Sequence, residues 1–228
     1  MNDYLRLLSE NKLTLIMSLP KNDPALCEAA FRAGADVVKV HINVEHRASG
    51  THFGRLSEER SALRAMLDSR TGPMGLVPGG TLEDALLDLD GLAGLPFSFY
   101  SLYARNTPPR LLSGEVPVMA ACDGGDTLEE IGEMARCGAR ILEASIVPGA
   151  EYGTRLSMRD LMRYGAIVRR ANLPVVVPTQ RLIAPADVPA LIRTGVKGLM
   201  IGAVVTGRDR DGIERAVRAF KRAIQEAE

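Results

Sequence analysis

The sequence has no excess of charge of either sign, with 28 Lys and Arg against 28 Asp and Glu. That balance removes the electrostatic signature of a nucleic-acid or anionic-membrane binder. No apolar run approaches the roughly 18 residues needed to cross a bilayer. The opening MNDYLRLLSENK also lacks the apolar segment of a signal peptide, so the expectation is a soluble, cytoplasmic protein. Cysteine is scarce: Cys27, Cys122 and Cys137 are odd in number and show no CxxC spacing, which argues against a disulfide framework and a zinc cluster. They read as reduced, structural thiols. A glycine fingerprint after the first apolar segment is missing too, because LPKND stands there, and this counts against an open dinucleotide-binding sheet.

What the chain does contain is a repeated phrase. Arg32-Ala33-Gly34-Ala35-Asp36 leads into VVKV, Arg136-Cys137-Gly138-Ala139-Arg140 into ILEA, and Arg193-Thr194-Gly195-Val196-Lys197 into GLMI. Each reads as a helix ending in a cation, a glycine in the left-handed position, and an apolar strand. Helix starts recur as well, at Thr81-Leu-Glu-Asp84, Thr127-Leu-Glu-Glu130 and Ser157-Met-Arg-Asp160, where hydroxyl and carboxylate satisfy free amides. Strands are expected at 13–19, 37–44, 73–77, 96–101, 116–122, 140–146, 174–179 and 197–202. Helices fall between them, with a weak turn near 107–113 and one helix, 2–10, ahead of the first strand. With 228 residues and 46% hydrophobic content, this alternation predicts one α/β domain over 1–228, an eight-stranded parallel (β/α)8 TIM barrel.

The most informative stretch is DVVKVHINVEHRASGTHFG, from Asp36 to Gly54. Side chains alternate along a strand, so Val38, Val40, Ile42 and Val44 share one face, and Lys39, His41, Asn43 and Glu45 the other. Outward faces of barrel strands pack on helices, which directs Lys39, His41 and Asn43 toward the barrel axis. The same parity places Glu143 inside on the sixth strand, and Asp123 at the end of the fifth before Gly124-Gly125. Lys39, Asp123 and Glu143 are then expected to meet at the strand ends, where such barrels keep their pockets. A lysine between carboxylates can stabilise an enolate, and a carboxylate shielded from water can take and return a proton. The alternative is an ion-pair network that only fills the barrel.

His46 and His52 follow His41 in an H-x4-H-x5-H spacing that does not match helix-spaced zinc ligands, so no metal is expected. A mobile loop over the mouth is the better reading of this segment. VPGAEYGTRLS, after the sixth strand, reads as a second covering loop. Barrels often hold a phosphate between the loops after strands seven and eight, beside the N-terminus of a short helix. Here those loops are Thr179-Gln180-Arg181 and IGAVVTGRD, with Ala203 to Thr206 as the short helix. Arg181, Gly202 and Ala203 are the phosphate candidates, and Asn43 and Gln180 are candidates for the rest of the substrate.

In AGADVVKVHIN, MAACDGGDTLEEIGEMARCGARILEAS and PVVVPTQRLIAPADVPALIRTGVKGLMIGAVVTG, the chain resembles the ribulose-phosphate-binding barrels, and among them most nearly the N-acetylmannosamine-6-phosphate 2-epimerases. The resemblance implies a phosphosugar ligand with its phosphate on Arg181, Gly202 and Ala203. Those epimerases use a lysine after the third strand and a glutamate after the seventh, whereas this chain has GLVPGG and PTQR at those places. Lys39 and Glu143, with Asp123 and His41 as further candidates, would carry the chemistry instead. The expected function is isomerisation or epimerisation of a small phosphorylated sugar through an enediolate, without an organic cofactor. The alternatives are a non-catalytic phosphometabolite-binding barrel and a Schiff-base lyase using Lys39. A homodimer through Tyr103, Leu111 and Leu112 is the one protein partner expected.

Overall fold

A computed structural model describes residues 2–227. The strands are β1 (Thr14–Ser18), β2 (Val37–His41), β3 (Val44–His46), β4 (Thr51–Phe53), β5 (Met74–Val77), β6 (Phe99–Tyr103), β7 (Val118–Cys122), β8 (Ile141–Ala144), β9 (Val175–Pro178) and β10 (Gly198–Ile201). The helices are α1 (Asp3–Glu10), α2 (Pro24–Ala33), α3 (Leu56–Ser69), α4 (Leu82–Leu87), α5 (Pro109–Leu112), α6 (Leu128–Glu133), α7 (Met158–Ala171), α8 (Val188–Arg193), α9 (Ala203–Thr206) and α10 (Arg210–Glu226). Eight strands close into a parallel barrel in the order β1-β10-β9-β8-β7-β6-β5-β2, and β3 and β4 form a separate antiparallel hairpin. This is the (β/α)8 barrel that the repeated helix-glycine-strand phrase predicts.

The local chemistry of the phrase explains the element ends. Gly34, Gly138 and Gly195 each adopt a left-handed φ between a helix and the next strand, a conformation that a Cβ would strain. Thr127 with Glu130, and Ser157 with Asp160, form reciprocal capping boxes, and the Thr81 hydroxyl accepts from the Asp84 amide.

Alternate strand residues form two cores. Outward-facing Val38, Val40, Leu142, Val177 and Leu199 join the larger core with the helices. Inward-facing Val37, Phe99, Met119, Ile141 and Val176 form a smaller plug, closed from below by Tyr4 and Leu8 of α1. Phe99 occupies the space that any side chain at Gly75 would need. Above this plug the inward positions turn polar.

The differences from the sequence reading are local. The second strand stops at His41, because Asn43 takes a left-handed φ of 53° and sends the chain into the hairpin. Alternation therefore breaks there, and Val44 does not continue the outward face. The fourth barrel strand starts at Phe99 rather than Pro96, and α6 ends at Glu133, before the Arg136 expected to close it. Tyr103, Leu111 and Leu112 do not form an outer apolar surface. Leu111 is buried, Leu112 packs on the core, and Tyr103 lines the cavity described below. No helix among the described residues is long and apolar enough to cross a membrane.

Candidate functional site

The C-terminal ends of the strands surround a cavity of about 750 Å³. Its floor is the polar layer above the plug. Lys39 and Glu143, each only 6% exposed, lie opposite each other across it. Their charged atoms are 3.5 Å apart. Glu143 receives two further hydrogen bonds, from the Ser101 hydroxyl at 3.0 Å and the Ser145 hydroxyl at 2.7 Å. Both carboxylate oxygens are thereby fixed in direction, which satisfies a charge that burial would otherwise make costly.

The other candidates divide. His41 lines the cavity, fully buried, and its ring packs at a tilt against His46, with centroids 4.6 Å apart, and against Phe53 at 4.7 Å. Its Nδ1 has no hydrogen-bond partner. Burial, then the neighbouring His46 and Lys39, hold the His41 imidazole well below its usual pKa. Burial, then Lys39, lower His46 to about 4. Both rings are therefore neutral at pH 7. His52, by contrast, is exposed and pairs with Glu45. The three histidines do not converge, and no group of three or more His, Cys, Asp or Glu side chains among the described residues has metal-site geometry.

Asp123 reaches the rim of the cavity but does not join Lys39. Its partner is Arg105, which also lies 4.5 Å over the Tyr103 ring, and its other oxygen accepts from the Gly125 amide. Asn43 does not line the cavity. Its amide nitrogen donates to Pro78 O and to Asp88 Oδ2 at 3.0 Å, so its role is to fix the turn that begins the hairpin. Gln180 does line the cavity, but its side chain holds the covering loop, accepting from the Val147 amide and donating to Tyr152 Oη at 2.7 Å.

Arg181 is the largest correction. It does not line the cavity; its guanidinium pairs with Glu151 at 2.8 Å and with Asp160 at 3.0 Å and donates to Thr154 Oγ1. Two carboxylates already neutralise it, so it clasps the covering loop to α7. Gly202 does line the cavity, and its amide donates to Thr179 Oγ1 at 3.0 Å. Ala203 opens α9, whose first amides have no intrahelical acceptor. Cys122 is buried behind β7, where burial pushes its thiol up to about 12, so it is no nucleophile at neutral pH.

Residues that sequence reasoning left without a role are Ser101, Ser145, Tyr152 and Arg47, all in the cavity wall. Ser145 shares the parity of Glu143, and Ser101 that of Phe99, so the same alternation that found Glu143 also marks them. Arg47 sits on a hairpin that no sequence signal announces.

Fold and cavity together define a (β/α)8 barrel with a charged, polar-floored pocket at its strand ends. No protein-family model matches this sequence, and no curated protein does either. Solved structures share the fold. A tryptophan synthase structure from Mycobacterium tuberculosis is 15% identical with a TM-score of 0.74, the match covering 97% of this chain and 95% of that one. The native KDPGal structure is 19% identical with a TM-score of 0.67, covering 95% and 97%. A thiamine phosphate pyrophosphorylase from Pyrococcus furiosus is 17% identical with a TM-score of 0.65, again covering 95% and 97%. The chain shares the (β/α)8 barrel fold with these structures, and none of them is the epimerase named above.

Proposed function

We propose that this barrel binds a small phosphorylated sugar and moves a proton next to its carbonyl group. The observation that carries the reading is the Lys39–Glu143 pair at the cavity floor, buried and held by two serine hydroxyls. A buried pair of charges is poor value as stability alone, since apolar residues of similar size usually serve as well. Placed under a cavity, it supplies the two groups that an enediolate mechanism needs.

In this mechanism Glu143 takes the proton from the carbon beside the carbonyl. The carbonyl oxygen gains the negative charge, and the Lys39 ammonium stabilises it. Return of the proton to the neighbouring carbon, with the enediol hydroxyl proton passing to the first oxygen, gives the isomer; the epimer forms only where the same carbon is protonated from its opposite face. His41, neutral and lining the wall, is a hydrogen-bonding group for a substrate hydroxyl. The phosphate takes the turn at Gly202 and Ala203, where the Ala203 and Val204 amides have no acceptor and favour an anion. Arg181 acts only indirectly, by fixing the covering loop. That a fold neighbour is a thiamine phosphate pyrophosphorylase is compatible with a phosphorylated ligand and is offered as analogy.

The test is a thermal-shift screen of the full chain against sugar phosphates and inorganic phosphate, since a ligand that binds only the folded state raises the melting temperature. Any hit is then incubated in D2O. Deuterium incorporation beside the carbonyl, lost in Glu143→Gln and reduced at least ~100-fold in Lys39→Ala, is the expected result. Full exchange in both variants would refute the assigned roles.

A further inference from the structure

The hairpin β3–β4 crosses the mouth of the cavity. It leaves the barrel from β2 and reaches the loop after β8, and these two strands lie opposite each other in the closed order. The Lys39–Glu143 pair spans the same diameter one layer lower, since Lys39 is on β2 and Glu143 on β8. At the crossing, the Arg47 guanidinium rests on Gly149 so closely that a methyl group there would overlap it.

The charges of the cavity wall make Arg47 distinctive. Lys39 pairs with Glu143, Arg105 with Asp123, and Glu45 with His52. Among the described residues, Arg47 is the one charged side chain of the wall without an ion pair or hydrogen bond. Three cations and three carboxylates line the wall, and Arg47 is the cation among them that no carboxylate engages, on a planar fork suited to an oxyanion. The turn at Gly202 offers the amides of Ala203 and Val204, and Arg181 is engaged by Glu151 and Asp160.

We infer that Arg47 is the residue that recognises the ligand's anionic group, carried over the cavity by the hairpin and released from Gly149 when an oxyanion enters beneath it. This rests on the reading of the cavity as a site for a small phosphorylated molecule, and adds which side chain neutralises the charge. Phosphate esters and carboxylates share the acceptor geometry, so the probes must separate them.

Inorganic phosphate, ribose 5-phosphate, gluconate and neutral ribose are titrated calorimetrically into the wild-type chain, Arg47→Gln and Arg47→Lys. Arg47 is exposed and unpartnered, so both variants should melt with the wild type. The expected result is binding of inorganic phosphate and ribose 5-phosphate, weakened about 10- to 100-fold in Arg47→Gln and less in Arg47→Lys, with ribose indifferent to either change. Phosphates bound equally well by wild type and Arg47→Gln would overturn the role of Arg47 and leave the phosphosugar reading standing. Gluconate bound in an Arg47-dependent way, with phosphates ignored, would keep Arg47 and overturn the phosphosugar reading. No binding of any anion by the wild type would overturn both.

Discussion

At the scale of single residues, the Lys39–Glu143 pair decides how the cavity floor behaves. Each partner is nearly sealed from water, so removing one leaves the other charged and uncompensated. Glu143→Leu alone should cost about 3–5 kcal/mol, and Lys39→Met alone a similar amount. The double substitution, which removes both charges at nearly constant volume, should recover most of that loss. Urea denaturation of the four proteins gives the cycle, and additive losses in the double variant would mean that the two side chains do not compensate each other. This pair was legible in the sequence because a period of two is enough to sort Lys39 and Glu143 inward. The misplacement of Arg181 has an equally plain cause. Its position after the seventh barrel strand is visible in sequence, but the two carboxylates that claim it come from Glu151 and Asp160, and no local pattern reports that pairing.

At the scale of elements, the hairpin is what the sequence hid. VVKVHINV alternates without a fault, so nothing in it says that the strand ends at His41 and that Asn43 bends the chain with a positive φ. An isolated two-stranded hairpin is marginal in water, and this one is held by the His41, His46 and Phe53 rings and by Asn43 at its root. Asn43→Gly keeps the backbone conformation and loses the hydrogen bonds, whereas Asn43→Ala loses both. Asn43→Ala should therefore be the more destabilising, by about 1 kcal/mol over Asn43→Gly, in denaturant melts. Equal costs would mean that the side-chain bonds alone fix the turn.

The rings also make the hairpin sensitive to acid. The His46 pKa is lowered from 6.5 to about 4 in the folded chain, chiefly by burial. As pH falls below the unfolded value, the unfolded chain takes up a proton that the folded chain refuses, so stability is lost between about pH 6.5 and pH 4 and no further loss from this group follows below that window. The loss attributable to His46 is on the order of 3 kcal/mol. Titration of the imidazole proton resonances should find His46 protonating near pH 4, together with loosening of residues 44–53. A His46 midpoint near 6.5 would show that the ring is open to water and the hairpin undocked.

At the scale of the whole molecule, the barrel separates stability from chemistry along its axis. The repeated phrase that revealed the fold is a short-range signal, caps and a left-handed glycine at each turn, and it needs no knowledge of what lies across the barrel. The plug and the cavity are long-range, which is why the fold was far easier to read than the site. Tyr4 illustrates the division. It is completely buried beneath the barrel, packed on Phe99 with ring centroids 4.2 Å apart, and its hydroxyl reaches Met119 sulfur at 3.7 Å. α1 that carries it is held in place by little else that is buried beyond Leu8. Tyr4→Ala should therefore lower stability by about 3–5 kcal/mol, the usual cost of emptying an aromatic site in a core. The polar floor lies on the far side of the apolar layer of Phe99, Met119 and Ile141, so a variant still folded at low temperature should bind any ligand of the upper cavity with unchanged affinity. Chemical denaturation measures the first effect and calorimetric titration the second. Loss of ligand affinity in folded Tyr4→Ala would mean that the plug transmits its packing to Lys39 and Glu143, and that the two ends of the barrel are one mechanical unit.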